Sequence, residues 1–204
     1  MSKWGGLMRA DGIRGRQRER TRRVLLREGR RLFAERGYAE VSLAGITEAA
    51  GVTKGALYHH FAGKAELFRA VLAGVQDEVG RRVAAVADQH ADLWDRLVAG
   101  CEEFLTATAD PEVQRIMLVD GPAVLGWNEW RAMDREASAR HLEDALTDLV
   151  REGVVPPQPV APLVHLLSGA MNEAALWLAS SDGPGDLADA RAALRRLLGF
   201  VRAG

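Results

Sequence analysis

The chain has 204 residues, 48% of them hydrophobic and 27% charged, a globular composition with room for one core or two small ones. One cysteine, Cys101, excludes an intrachain disulfide framework and a multi-cysteine zinc site. No basic-then-apolar leader opens it, and no apolar run nears the roughly 18–20 residues that span a bilayer, so a cytoplasmic location with no membrane partner is expected. The net charge of −1 hides a division: residues 1–64 carry 14 basic and 6 acidic residues (+8), leaving 13 basic and 22 acidic (−9) in 65–204. A basic head on an acidic body fits a polyanion partner.

Residues 1–17 lack apolar periodicity and read as a flexible basic arm. From Arg18 the pattern turns helical, with Leu25, Gly29, Leu32 and Phe33 on one face, until Gly37 supplies a positive-φ stop. Ser42 caps a short helix whose inward residues are Leu43, Ile46, Ala49 and Ala50. Gly51-Val52 breaks it, and Thr53 caps a second short helix from Lys54 to about His60, with Leu57 and Phe61 inward. After Ala62-Gly63, Lys64 opens a long helix through Leu67, Phe68, Val71, Leu72, Val75, Val79, Val83 and Val86. Further helices are expected over about 92–108, 112–119, 125–152, 162–181 and 186–202, separated by breaks at Asp110-Pro111, Gly121-Pro122, Gly153 to Pro162 and Asp182 to Gly185. No stretch alternates as a strand, so the fold is all-α.

Residues 42–61 have the layout helix, tight turn, helix. The first can cross a DNA backbone while the second enters the major groove, about 12 Å wide. Thr53, Lys54, Gly55, Tyr58 and His59 face outward from the second helix, offering hydroxyls, a cation, an imidazole and a close backbone approach. Lys64 suits a phosphate at the next helix's N-terminus.

The segments LFAERGY, SL..I...AGV, KGALYHHF and GK.ELF, within residues 22–72, resemble the DNA-binding domain of the TetR (tetracycline repressor) family. Two departures are Gly29 and Thr47, where the family uses Ala; a helical Gly costs about 1 kcal/mol. The resemblance implies phosphate contacts from Ser42, Tyr58 and Lys64 with His59 beside them. It places Ala44, Gly45, Thr53, Lys54 and Gly55 against bases or the adjacent backbone, and Ile46, Ala50, Val52, Leu57 and Phe61 in the core. The expected organisation is an arm over 1–17, a helix-turn-helix domain over 18–63 and a helical sensing and dimerisation domain over 64–204. Arm residues Arg9, Arg14, Arg16, Arg18 and Arg20 suit a minor groove or a plain solvated tail.

Beyond residue 75 the reading rests on pattern. One short recognition helix reads few bases, so a homodimer on a palindromic duplex is expected. Leu163, Leu166, Leu167, Ala170, Ala174, Trp177 and Leu178, with Leu194, Leu197, Leu198 and Val201, form two amphipathic faces of the kind the family pairs across a two-fold axis. Trp94, Phe104, Met117, Trp127, Trp130 and Met133, with polar handles His141, His165 and Asn172, are expected to line a small-molecule pocket. The segment LVDGPAVLGWNEWRAMD resembles a C-terminal pattern of one TetR subgroup. No phosphate loop, metal spacing or paired catalytic groups appear, so no cofactor, metal or enzymatic activity is expected. The function expected is a sequence-specific repressor released from its operator by a small molecule; the alternative is a ligand-independent or activating regulator.

Overall fold

The computed structural model describes residues 4–181 and 183–203, with side chains from Gly15 onward except those of 138 and 139. Among the described residues every regular element is helical. The chain divides into two compact units, one as far as Val71 and one from Leu72 onward.

The first unit is built on α1 (Trp4–Glu40), α2 (Leu43–Ala50), α3 (Lys54–Tyr58) and the opening turns of α4 (Lys64–Ala87). Helix α1 starts at Trp4 rather than Arg18, so residues 4–17 are helical. No proline interrupts them, and extending an existing helix costs far less than nucleating one. Residues 1–3 of the expected arm, and the side chains of Arg9 and Arg14, lie outside the described residues; Arg16, Arg18 and Arg20 are exposed. Gly37 interrupts α1 with φ 77°, the backbone expected there.

Leu25, Phe33, Ile46, Leu57, Leu67 and Phe68 are fully buried, and Phe33 meets Phe68 edge-on with ring centroids 5.2 Å apart. Ala49, expected inward, is exposed, whereas Thr47 is buried and donates its hydroxyl to the Ala44 carbonyl at 2.9 Å. That bond removes the penalty of a buried hydroxyl.

Gly29 faces α4 without being forced: a Cβ there would lie 3.6 Å from both Leu67 Cδ2 and Val71 Cγ2, ordinary contact distances. Gly29→Ala is therefore expected to stabilise this unit by about 1 kcal/mol. Urea unfolding followed by circular dichroism checks it, and a lowered midpoint would count against this packing.

In the second unit, α5 (Leu93–Thr108) is capped by Asp92, whose carboxylate accepts from the amides of Trp94 and Asp95. Helix α6 (Pro111–Val113) runs through a π-helical segment (Gln114–Asp120) into α7 (Gly121–Leu125), so the break expected at Gly121-Pro122 is absent. Pro122 falls in the first turn of α7, where its missing N–H is tolerated, and the wider π turn precedes it. The chain turns instead at Gly126, with φ 79°.

The expected helix over 125–152 is likewise segmented into α8 (Trp127–Asp134), a π-helical segment (Arg135–Ala139) and α9 (Arg140–Arg151). Helices α10 (Val160–Ala179) and α11 (Asp186–Ala203) complete the chain. Glu102 of α5, buried, receives Arg191 at 2.9 Å and Arg195 at 2.6 Å, tying α11 to α5.

Trp130 holds the middle of this unit. It is 1% exposed, and its indole N–H donates to the Met117 carbonyl at 2.7 Å. A Cβ at Gly121 would lie 2.9 Å from Trp130 Cδ1, so the ring seats only because residue 121 is glycine.

Candidate nucleic-acid interface and effector cavity

The turn between α2 and α3 is closed by backbone geometry alone. Gly51 adopts the left-handed conformation (φ 63°, ψ 33°), its N–H donates to the Glu48 carbonyl, and the Val52 N–H donates to the Thr47 carbonyl. This double closure ends α2 and lets α3 start at once. Ser42 Oγ accepts from the Gly45 amide at 3.1 Å, and Thr53 Oγ1 accepts from the Ala56 amide at 3.2 Å. Both hydroxyls therefore cap helices and still stand exposed.

Lys54, Gly55, Tyr58 and His59 are exposed on α3, Tyr58 by 51%, so the tyrosine is not a packing residue. Ala44 is exposed and Gly45 half-buried beside them. A Cβ on Gly55 would meet nothing closer than Thr53 Oγ1 at 4.0 Å, so the fold itself does not require glycine there. Lys64 is half-buried and internally engaged: Nζ donates to the Ala39 carbonyl at 3.3 Å and lies 4.1 Å from the Tyr38 ring centroid. Burial, and then the charges of His59, Arg18 and Arg22, hold the His60 imidazole below its ordinary range, so it resists protonation beside this basic surface.

A cavity of about 320 Å³ opens in the second unit among α4, α5, α9 and α10. Val83, Ala84, Leu97, Cys101, Phe104 and Met171 supply apolar wall, and Asp134, His141, Asp144 and Ser168 supply polar groups. Of the nine residues expected to line a pocket, Phe104 and His141 do so. Trp130 and Met117 are core. Trp94 is buried under the Arg202 guanidinium, 5.1 Å from its ring. Trp127 is 61% exposed and Met133 half-buried, neither of them against this cavity. His165 borders a smaller pocket of about 160 Å³, and Asn172 is buried behind Asp134. Apolar spacing marks buried aromatics well but does not separate packed core from a lined void. Burial, then the Glu102 charge, pushes the Cys101 thiol up to about 12, far from the range of a thiolate nucleophile.

The polar end of the cavity was invisible to pattern reading. Asp134, 2% exposed, accepts on Oδ2 from Arg131 Nη1 at 3.2 Å and from Asn172 Nδ2 at 3.4 Å. The same Arg131 nitrogen donates to Ser168 Oγ at 3.2 Å. Burial raises the Asp134 carboxyl above its usual range, and Arg131 and Asn172 oppose that rise.

On α10 and α11 the expected pairing face divides. Leu167, Leu178, Leu194 and Leu198 are buried within the protomer, while Leu166, Ala170, Trp177 and Leu197 are exposed; Leu163, Ala174 and Val201 are half-buried. Phe200, 76% exposed, extends the outer face and was missed, although it lies three residues beyond Leu197 on the same side. Ala170, Ala174, Trp177, Ala193 and Leu197 border an apolar groove of about 470 Å³ between the two helices. Both sides of these helices are apolar, so periodicity alone does not tell core from partner face.

A two-helix reading head and an all-helical body define a helix-turn-helix DNA-binding regulator. Residues 25–71 match the family described as bacterial regulatory proteins, tetR family, and residues 94–200 match the tetracyclin repressor-like C-terminal domain. The chain belongs to the TetR family of DNA-binding transcriptional regulators. It is 28% identical over 149 residues to the transposon Tn10 TetC protein of Escherichia coli, covering 73% of this chain and 75% of that one. A TetR-family transcriptional regulator from Pectobacterium atrosepticum superposes with a TM-score of 0.79 at 36% identity, covering 92% of this chain and 97% of that one. FadR of Bacillus subtilis in complex with stearoyl-CoA shares the fold at 18% identity and a TM-score of 0.73, covering 86% of this chain and 96% of that one.

Proposed function

We propose that this TetR-family protein is a cytoplasmic homodimeric repressor that binds a palindromic operator through α2 and α3 and is released by a small molecule held in the 320 Å³ cavity. The observation that carries the reading is α3 itself, a short capped helix whose outward side (Lys54, Gly55, Tyr58, His59) is exposed and whose Gly55 the fold does not require. Thr53 and Gly55 with the Ala44-Gly45 edge approach bases or the adjacent backbone, and Ser42, Tyr58, His59 and Lys54 engage phosphates. Lys64 joins them when it leaves the Ala39 carbonyl.

Release runs along α4, which begins at Lys64 and whose far half, at Val83, Ala84 and Ala87, walls the cavity. At Gly80 a Cβ would lie 3.0 Å from the Ala137 carbonyl oxygen, so α4 rests directly on the π-helical segment between Asp134 and His141. A ligand that spreads those two residues pushes α4. Coupling of about 1–3 kcal/mol suffices, provided the ligand binds the free form more tightly than the DNA-bound form. The cavity suits a ligand far smaller than the stearoyl-CoA bound by FadR.

Selection of bound fragments from random duplex DNA tests the reading: an enriched inverted repeat is expected, and no enrichment over the starting pool sinks it. Gly55→Ala is expected to leave stability unchanged or raise it by up to about 1 kcal/mol. The added methyl faces the DNA, so affinity for the selected duplex should fall about tenfold, which anisotropy titration reads. Unchanged affinity would remove Gly55 from the interface.

A further inference from the structure

The effector cavity ends on the Asp134 carboxylate, one oxygen of which lacks a donor. Both protein hydrogen bonds to Asp134 arrive at Oδ2, and among the described residues Oδ1 receives none, although the side chain is 97% buried and lines the cavity. Asn172, 5% exposed, adds a second orphan: with Nδ2 turned to the carboxylate, its Oδ1 is buried without a hydrogen-bond partner. The carboxylate settles that amide's orientation, because flipping it would set two oxygens against each other. Of these two acceptors only Asp134 belongs to the cavity wall, so it is the one that a bound donor reaches.

Carboxylates around them outnumber the arginines that meet them, four to three. Asp88, Asp134, Asp144 and Asp148 line the cavity against Arg96 alone among the permanently charged bases, with His141 opposite. Arg96 is bound to Asp88 at 2.7 Å, and Asp148 is met by Arg151 at 2.9 Å, so neither arginine is available to hold an anion. Arg131 is spent on Asp134 Oδ2 and Ser168. The remaining wall is apolar, from Leu97, Phe104 and Met171 to Ala84.

We propose that the cavity takes a small organic cation, a protonated amine on an apolar body, whose N–H groups donate to Asp134 Oδ1 while the body packs on Phe104 and Met171. This rests on the cavity being the effector site, and it names the chemical class of the effector. An ammonium supplies several donors and the opposite charge at a poorly solvated carboxylate, where charge-assisted hydrogen bonds are strongest. Burial raises this carboxyl, and a bound cation would oppose that rise as Arg131 does.

The test uses the full-length protein and three probes with one apolar body: phenylbutylamine, phenylbutanol and phenylbutyrate. Calorimetric titration at neutral pH is expected to show the amine binding at least about tenfold more tightly than the alcohol, with the carboxylate weakest. Asp134→Asn is expected to bring amine and alcohol to equal affinity. The wild-type ranking decides alone should that variant fail to fold. Equal binding of alcohol and amine, tighter binding of the carboxylate, or no binding of the amine overturns the proposal. Release of the selected operator duplex is measured separately: an Asp134-dependent amine preference with the duplex still bound supports the cation site and sinks ligand-driven release instead.

Discussion

Leu166→Glu combined with Phe200→Glu is expected to leave the protomer folded and to abolish dimerisation, and with it tight operator binding. Both side chains are more than 70% exposed on the outer face of α10 and α11, so charge there disturbs no protomer core. Carboxylates facing each other across a two-fold axis would be desolvated without partners, which costs several kcal/mol. A monomer engages one half-site at a time and loses the effective concentration that couples the second, a loss of about 100-fold to 10,000-fold. Light scattering after size exclusion reads the mass, anisotropy reads the affinity, and circular dichroism confirms the fold. A monomer that still binds the duplex with wild-type affinity would show that one reading head is enough.

The second large effect concerns Trp130. Trp130→Ala is expected to destabilise the second unit by about 3–5 kcal/mol, since it removes a fully buried indole and leaves a cavity. It also orphans the Met117 carbonyl, which now accepts the indole N–H at 2.7 Å. Against a typical total of about 5–15 kcal/mol, this is a large fraction. Trp127→Ala is the internal control: the ring is 61% exposed, so truncation should stay within about 1 kcal/mol. Guanidinium unfolding of the two variants, followed by far-ultraviolet circular dichroism, separates them. A Trp130→Ala loss below about 1 kcal/mol would contradict the packing described for Gly121 and Met117.

What could be read from the residues was whatever is decided locally. Ser42, Gly51 and Thr53 act through backbone groups three or four residues away, so their order in the chain specifies both caps and the turn. The apolar spacing of α1 and α4 placed Leu25, Phe33, Leu67 and Phe68 in the core for the same reason. The cavity obeys no such rule. Asp134 becomes a wall residue only because α8 closes on α10, a meeting with Asn172 across 38 positions, and one aspartate in a polar stretch carries no mark of that. Trp127 and Trp130 share a face by spacing, yet Trp130 seats against Gly121 while Trp127 stands 61% exposed, a difference settled in three dimensions. Pro122 misled the helix boundaries because a π turn absorbs it, and periodicity does not reveal a π turn.

DNA reading by α3 of a dimer is tested most directly by anisotropy titration of the selected duplex against a scrambled duplex of equal length and composition. At physiological salt the selected duplex is expected to bind at least about 1,000-fold more tightly, with affinity falling linearly on a log–log salt plot. Equal affinity for the two duplexes would contradict sequence-specific recognition by residues 42–64.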